Sequence, residues 1–261
     1  MKKREGMDWL QRHRAHDYPH LVRRWREWAR VHRIPMRPLH KAGEMTVYFL
    51  QSGKSNAPYR IYLSAGIHGD EPASTEALIT WVESRSDLFQ HDDFSLFLLP
   101  CINPWGLIKN SRTDDRGRDL NRMFLPGAPK PVRSIMRRIS RESFHLAVML
   151  HEDYDARGVY LYELQRPKPC WGEELINAAA KVIPPDPRLV IEGRKTTSPG
   201  VMRRKITPEI RLFGPEAIYL YDLNCARTFT IETPSEFSLE SRVRAHVRML
   251  DRAVELLTGE R

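Results

Sequence analysis

The chain has 261 residues, 41% of them hydrophobic, and a net charge of +9; that length buries one sizeable core and suits a single domain over residues 1–261 better than two. No stretch approaches the roughly 18 uncharged apolar residues that a membrane helix needs. The start, Met1-Lys2-Lys3-Arg4-Glu5-Gly6-Met7-Asp8, lacks the apolar run of a signal peptide, so a cytoplasmic protein without a membrane partner is expected.

The charge is uneven. Residues 1–45 hold 12 Lys/Arg against 5 Asp/Glu, which is +7 of the +9. Tyr18, Leu21, Val22, Trp25, Trp28 and Ala29 recur at helical spacing, leaving Arg23, Arg24, Arg26 and Arg30 on a wet face. Residues 1–45 therefore read as a basic, amphipathic helical extension. No helix-turn-helix, zinc-finger or RNP-type signature accompanies them, and no nucleic-acid partner is expected.

After a turn around Pro35 to Pro38, β-rich apolar runs at Thr46 to Leu50 and Arg60 to Ala65 predict two strands, separated by Gly53, Asn56 and Pro58. Pro72 to Val82 predicts a helix, with proline near its first turn, where a missing N–H costs little. Ser95 to Leu99 predicts a strand, Asn103 to Gly127 a long polar loop, Val132 to Glu142 a helix and His145 to Leu150 another strand. A strand at Gly158 to Leu164 and a helix at Trp171 to Val182 precede Pro184 to Gly214, a proline-rich, basic, loop-rich segment suited to specificity. Ala217 to Tyr221 and Arg227 to Ile231 read as the last strands, and Leu239 to Leu257 as a closing helix capped by Ser238. Strands alternating with helices predict an α/β fold: a mixed, largely parallel twisted sheet with helices on both faces.

Metal-capable side chains follow the buried strands. His68 and Glu71 come after Arg60 to Ala65, His151 directly after Ala147 to Leu150, and Glu232 directly after Thr228 to Ile231. Ligands of open α/β sheets bind beyond the carboxyl ends of the strands, so parallel strands would bring these four together. Two imidazoles and a carboxylate make the His₂Glu set of a catalytic zinc site, with one position open for water. One zinc per chain is expected on His68, Glu71 and His151. Glu232 is then the carboxylate left to act as general base, and Asp119 could accept from His68 and fix its tautomer.

The stretch from Asn103-Pro104-Trp105-Gly106 through Arg112 to Arg118-Asp119-Leu120-Asn121-Arg122 is more specific. In order with His68-Gly69-Asp70-Glu71, His151 and a glutamate on a late strand, it resembles the pattern of the zinc carboxypeptidase and aspartoacylase-like deacylase superfamily from about Arg60 to about Pro234. The resemblance implies a zinc carboxypeptidase-like fold in which Asn121 and Arg122 hold the substrate's terminal carboxylate and Arg112 stabilises the oxyanion. A guanidinium suits both tasks.

Only 83 residues separate His68 from His151, so the chain looks more like compact intracellular murein-peptide amidases and aspartoacylase-like deacylases than digestive carboxypeptidases. The expected reaction is hydrolysis of an amide bond next to a free carboxylate in short or cell-wall-derived peptides. Deacylation of an N-acyl amino acid is the alternative, and oligomeric state is left open. His151 is followed by Glu152-Asp153-Tyr154-Asp155, acids that could receive a cationic substrate group. Tyr219 and Tyr221 are candidates, by region, for the family's substrate-closing tyrosine. Cys101, Cys170 and Cys225 have no C-x-x-C spacing and read as buried thiols. A serine hydrolase would have to do without a G-x-S-x-G elbow, which the chain lacks.

Overall fold

Apolar runs too continuous for a half-wet sheet, such as Ile61-Tyr62-Leu63 and Ala147-Val148-Met149-Leu150, must be covered on both faces. In a computed structural model of the chain, which describes residues 13–165 and 168–259, they are. Strands β1 (Met36–Ala42), β2 (Met45–Gln51), β3 (Tyr59–Ser64), β4 (Phe94–Leu99), β5 (Leu146–Asp153), β6 (Tyr160–Gln165), β9 (Val201–Arg203) and β10 (Arg227–Pro234) form one eight-stranded sheet, in the order β1-β2-β4-β3-β5-β10-β6-β9. The four central strands, β4, β3, β5 and β10, run parallel, while β1, β2 and β6 join antiparallel to their inner neighbours. A separate hairpin of β7 (Val190–Ile191) and β8 (Arg194–Lys195) lies outside this sheet.

Successive strand residues feed opposite cores, as the two-residue period requires. Ile61, Leu63, Leu96, Leu98, Val148, Leu150, Phe229 and Ile231 pack under helices α1 (Tyr18–Val31), α2 (Pro72–Ser84), α5 (Gly172–Ala179) and α8 (Leu239–Thr258). Tyr62, Phe97, Leu99, Ala147 and Met149 pack on the other face, against α4 (Lys130–Ile139) and α7 (Glu216–Asp222). Ser238 caps α8, its hydroxyl accepting from the Ser241 N–H at 3.1 Å. Two further short helices, α3 (Pro104–Lys109) and α6 (Pro208–Leu212), lie in segments expected to be loops. Among the described residues no helix is long and apolar enough to cross a membrane.

Three expectations are corrected. Of the helical extension over residues 1–45, Tyr18–Val31 is helix, but the expected turn around Pro35 to Pro38 runs into strand β1; residues 1–12 lie outside those described. Proline is tolerated there because β1 is an edge strand whose pairing register shifts between Pro38 and His40. Ala217 to Tyr221 is helix rather than strand: the turn begins after Pro215, with Glu216 in its first turn, a helix-start signal that the β-prone Ile218, Tyr219 and Tyr221 obscured. Cys101 and Cys225 are buried as expected, but Cys170 is only half-buried.

Helix α1 is core rather than appendage, since Trp25 is wholly buried and packs in the same cluster as α2. Replacing Trp25 with alanine is expected to cost about 3–5 kcal/mol, seen as a lower midpoint in urea unfolding with an unchanged slope; a shift under about 1 kcal/mol would show that the helix folds apart from the sheet.

Candidate metal centre

The carboxyl ends of β3, β5 and β10 share one edge of the sheet, and the expected residues sit there. His68 lies in the turn after β3, and Glu71 is the residue before α2, whose first residue, Pro72, sits where a missing N–H costs little. His151 and Glu232 are direct lateral partners on the parallel strands β5 and β10. The ligand atoms of His68, Glu71 and His151 all lie within 4.8 Å of one another, and all three residues are buried.

The contacts show how so many ionisable groups tolerate burial. Glu71 bridges the two imidazoles, Oε1 at 2.6 Å from His68 Nδ1 and Oε2 at 2.9 Å from His151 Nδ1. Burial disfavours the Glu71 anion, but the two imidazoles outweigh it and hold the carboxyl well below the usual range. His68 is pulled the other way: burial lowers it, yet Glu71 and Asp119 raise it to about 9. Its Nε2 lies 3.1 Å from Asp119 Oδ1, so the far nitrogen is held by a carboxylate while Nδ1 faces the centre. A buried cluster of two nitrogen donors and one carboxylate, with their outer partner present, fits a divalent cation of the zinc class.

Arg112 runs across this group. Its Nη2 donates to Asp119 Oδ2 at 3.1 Å, and its Nη1 lies 3.5 Å from Glu71 Oε1. Its side chain keeps 45% exposure, so part of the guanidinium stays open to the cleft. The Asn103-Pro104-Trp105-Gly106 turn supports both loops: the Asn103 side chain accepts from the Gly106 N–H and donates to the Thr113 carbonyl. Gly106 and Gly69 touch so closely that a Cβ on Gly69 would stand 1.9 Å from the Gly106 carbonyl carbon. Glycine is needed where His68 is set against this turn.

A cleft of about 870 Å³ opens over the centre, lined by His68, Glu71, His151 and Glu232 together with Arg112, Asn121 and Arg122. All seven residues expected at the site therefore meet there. Burial pushes the Glu232 carboxyl well above its ordinary value, Glu71, Asp153 and Glu192 adding to the rise and His151 opposing it. Two residues back along β10, Thr230 continues the floor; on β6, Tyr160 pairs with Glu232 and Tyr162 with Thr230, and both share that face. Beyond them the wall is apolar, with Leu164, Ile210, Ala217 and Ile218. The segment expected to serve specificity supplies Glu192, Arg194, Arg204, Ile210 and Phe213.

Other expectations are met only in part. The Glu152 carboxylate is buried in an ion pair with Arg242 and accepts from the Ala73 N–H, so it is not available to a substrate cation. Asp153 lines the cleft as expected while accepting from the Tyr160 hydroxyl at 2.9 Å, whereas Asp155 does not line it. Tyr219 points away, its hydroxyl donating to the Met136 carbonyl at 3.3 Å, and neither it nor Tyr221 lines the cleft; Tyr154, Tyr160 and Tyr162 do. Glu216, buried beneath the cleft, escaped the sequence reading; a Pro-Glu helix start at 215–216 was its available signal.

Comparisons with known proteins bear on the fold. Residues 58–164 match the succinylglutamate desuccinylase/aspartoacylase catalytic domain family. Among solved structures, a candidate metallopeptidase from Shewanella amazonensis is similar at TM-score 0.81 and 21% identity, covering 93% of this chain and 94% of the other. One from Shewanella denitrificans is similar at 0.82 and 19%, covering 92% and 90%. A metallo-carboxypeptidase from Pseudomonas aeruginosa, in complex with (2-guanidinoethylmercapto)succinic acid, is similar at 0.67 and 15%, covering 94% and 70%. No curated protein matches.

Removing Arg242 leaves the Glu152 carboxyl, which burial already raises to about 7, buried without the cation that opposes that rise. Arg242→Ala is expected to destabilise by about 3–5 kcal/mol, and the double variant with Glu152→Ala to recover part of the loss. Both are read from urea unfolding; a single variant as stable as wild type would show the pair to be dispensable.

Proposed function

We propose that this chain, a member of the superfamily of zinc carboxypeptidases and succinylglutamate desuccinylase/aspartoacylase enzymes, is a zinc-dependent carboxypeptidase-like hydrolase. It cleaves an amide bond next to a free carboxylate in short peptides. The observation that carries the reading is a buried His68, Glu71 and His151 group with Glu232 in lateral register beside His151, in the same cleft as Asn121 and Arg122.

His68, Glu71 and His151 would hold one zinc, which when bound polarises a carbonyl and makes water acidic enough to lose its proton near neutral pH. The rest falls to side chains. Glu232 takes the proton from the attacking water, a task suited to a carboxylate whose proton affinity burial has raised, and returns it to the leaving amine. Arg112 turns its open guanidinium edge to the charge developing on the carbonyl oxygen. The Asn121 amide and the Arg122 guanidinium grip the terminal carboxylate and set which bond is cut.

Deacylation of an N-acyl amino acid would use the same groups. The apolar wall favours the peptide reading, because Leu164, Ile210 and Ile218 suit an aliphatic or aromatic C-terminal residue better than an acidic one. Arg204, a cation of the cleft lining, is already stacked 4.4 Å from the Tyr162 ring centre and lies 3.5 Å from Glu192. We place the enzyme in the cytoplasm as a single catalytic domain; the absence of any disulfide among Cys101, Cys170 and Cys225 suits a reducing compartment.

Purified protein should carry one zinc per chain, lose activity to a chelator and regain it on zinc addition. It should cleave free-acid peptides ending in an apolar residue faster than their C-terminal amides and faster than N-acetylaspartate. Glu232→Gln should keep the metal and lower kcat by about 10²–10⁴-fold. Equal zinc content in wild type and a His68→Ala, His151→Ala double variant would refute the centre; a preference for N-acyl amino acids would select the deacylase.

A further inference from the structure

Asn121 can hold a carboxylate only if its amide presents NH₂, not oxygen, to the cleft. Its Oδ1 accepts from the Glu216 backbone N–H at 3.0 Å, which occupies the oxygen on the protein side and leaves Nδ2 for the substrate. Glu216 is itself held from below. Its Oε1 accepts from the hydroxyl of Tyr62, a residue of β3 that is 154 positions away in sequence and has no exposure. Glu216 is 1% exposed, with the Ser64 hydroxyl as a second polar neighbour. A carboxyl group kept dry is costly for a residue that only starts a helix.

The same segment touches the substrate-facing turn again. The Phe124 N–H donates to the Gly214 carbonyl at 2.9 Å. Gly214 holds a φ of +57°, and a Cβ there would stand 2.8 Å from the Arg122 carbonyl oxygen. Residues 214–216 are therefore stitched to residues 121–124 on one side, while Ile210 and Phe213 before them and Ile218 after them line the apolar end of the cleft. Glu216 ties this stitch to the sheet through the Tyr62 hydroxyl.

We infer that Glu216, anchored by Tyr62, is a positioning residue that fixes the Asn121 amide for the substrate's terminal carboxylate and ties that grip to the adjoining apolar wall. The inference rests on the carboxypeptidase reading above. It assigns Glu216 a role in binding the carboxylate rather than in the bond-breaking step, so its loss should appear in KM and not in kcat.

The test uses the zinc-loaded full chain, a blocked dipeptide ending in free phenylalanine, its C-terminal amide, and calorimetric binding of free phenylalanine. Glu216→Ala is expected to raise KM for the free acid about tenfold, to weaken phenylalanine binding by a similar factor, and to change kcat less than about twofold. Glu216→Gln keeps an oxygen for the Tyr62 hydroxyl and should stay within about threefold of wild type in both. Tyr62→Phe, a milder change should Glu216→Ala fold poorly, is expected to raise KM about threefold to fivefold. The ratio of free-acid to amide turnover within each preparation is independent of how much of it is folded. A Glu216→Ala enzyme with the wild-type ratio and KM, or one that loses kcat or zinc while KM holds, would overturn the assignment. A wild-type enzyme indifferent to the free acid would instead refute the carboxypeptidase reading itself.

Discussion

A carboxylate placed between two imidazoles in a dry pocket is the interaction on which the rest of this molecule depends. Glu71 spans His68 and His151, and neither the acid nor the bases could be buried singly without losing charge or stability. Asp119 and Arg112 extend the alternation of sign outward, so the group becomes progressively more exposed without leaving a charge unopposed. Such an arrangement needs the strand ends that carry it to finish at one level. Parallel β3, β5 and β10 do this because their lateral pairing sets His151 opposite Glu232 and brings the turn after β3 alongside.

The glycines and short helices around the centre follow from that requirement. The His68 turn approaches α3 so closely that Gly69 and Gly106 meet backbone to backbone, and the Asn103 cap holds α3 and the Arg112 loop together. The arginines between residues 112 and 122 are divided by position. Arg118 is spent on Asp114 at 2.6 Å, whereas Arg112 and Arg122 reach the cleft. Equal charge in the sequence hides unequal roles, because only the fold decides which guanidinium finds a carboxylate first.

The acidic run after His151 teaches the same lesson. Glu152 and Asp153 are consecutive on β5 and point to opposite faces, one into an ion pair under α8 and the other toward the Tyr160 hydroxyl. Both residues line the cleft, but the pleat gives their carboxylates different partners. Tyr219 and Tyr221 were misplaced for a related reason: β-prone residues over a short stretch match a strand as well as they match one turn of helix, and the capping chemistry at Pro215-Glu216 decides the matter.

What the sequence by itself determined is the sheet's parallel centre and the identity of the residues at its carboxyl edge. Apolar runs of β-branched and aromatic residues specify buried strands, and a histidine or glutamate directly after such a run must lie at a strand end. Tertiary structure alone decided the tautomer-setting contact of Asp119 with His68, the apolar far wall of the cleft and the buried Tyr62–Glu216 contact. These are pairings across 51 and 154 positions in the chain, made by side chains whose types are common everywhere. Local spacing carries no record of which of them will meet, because that depends on how the layers close over the sheet.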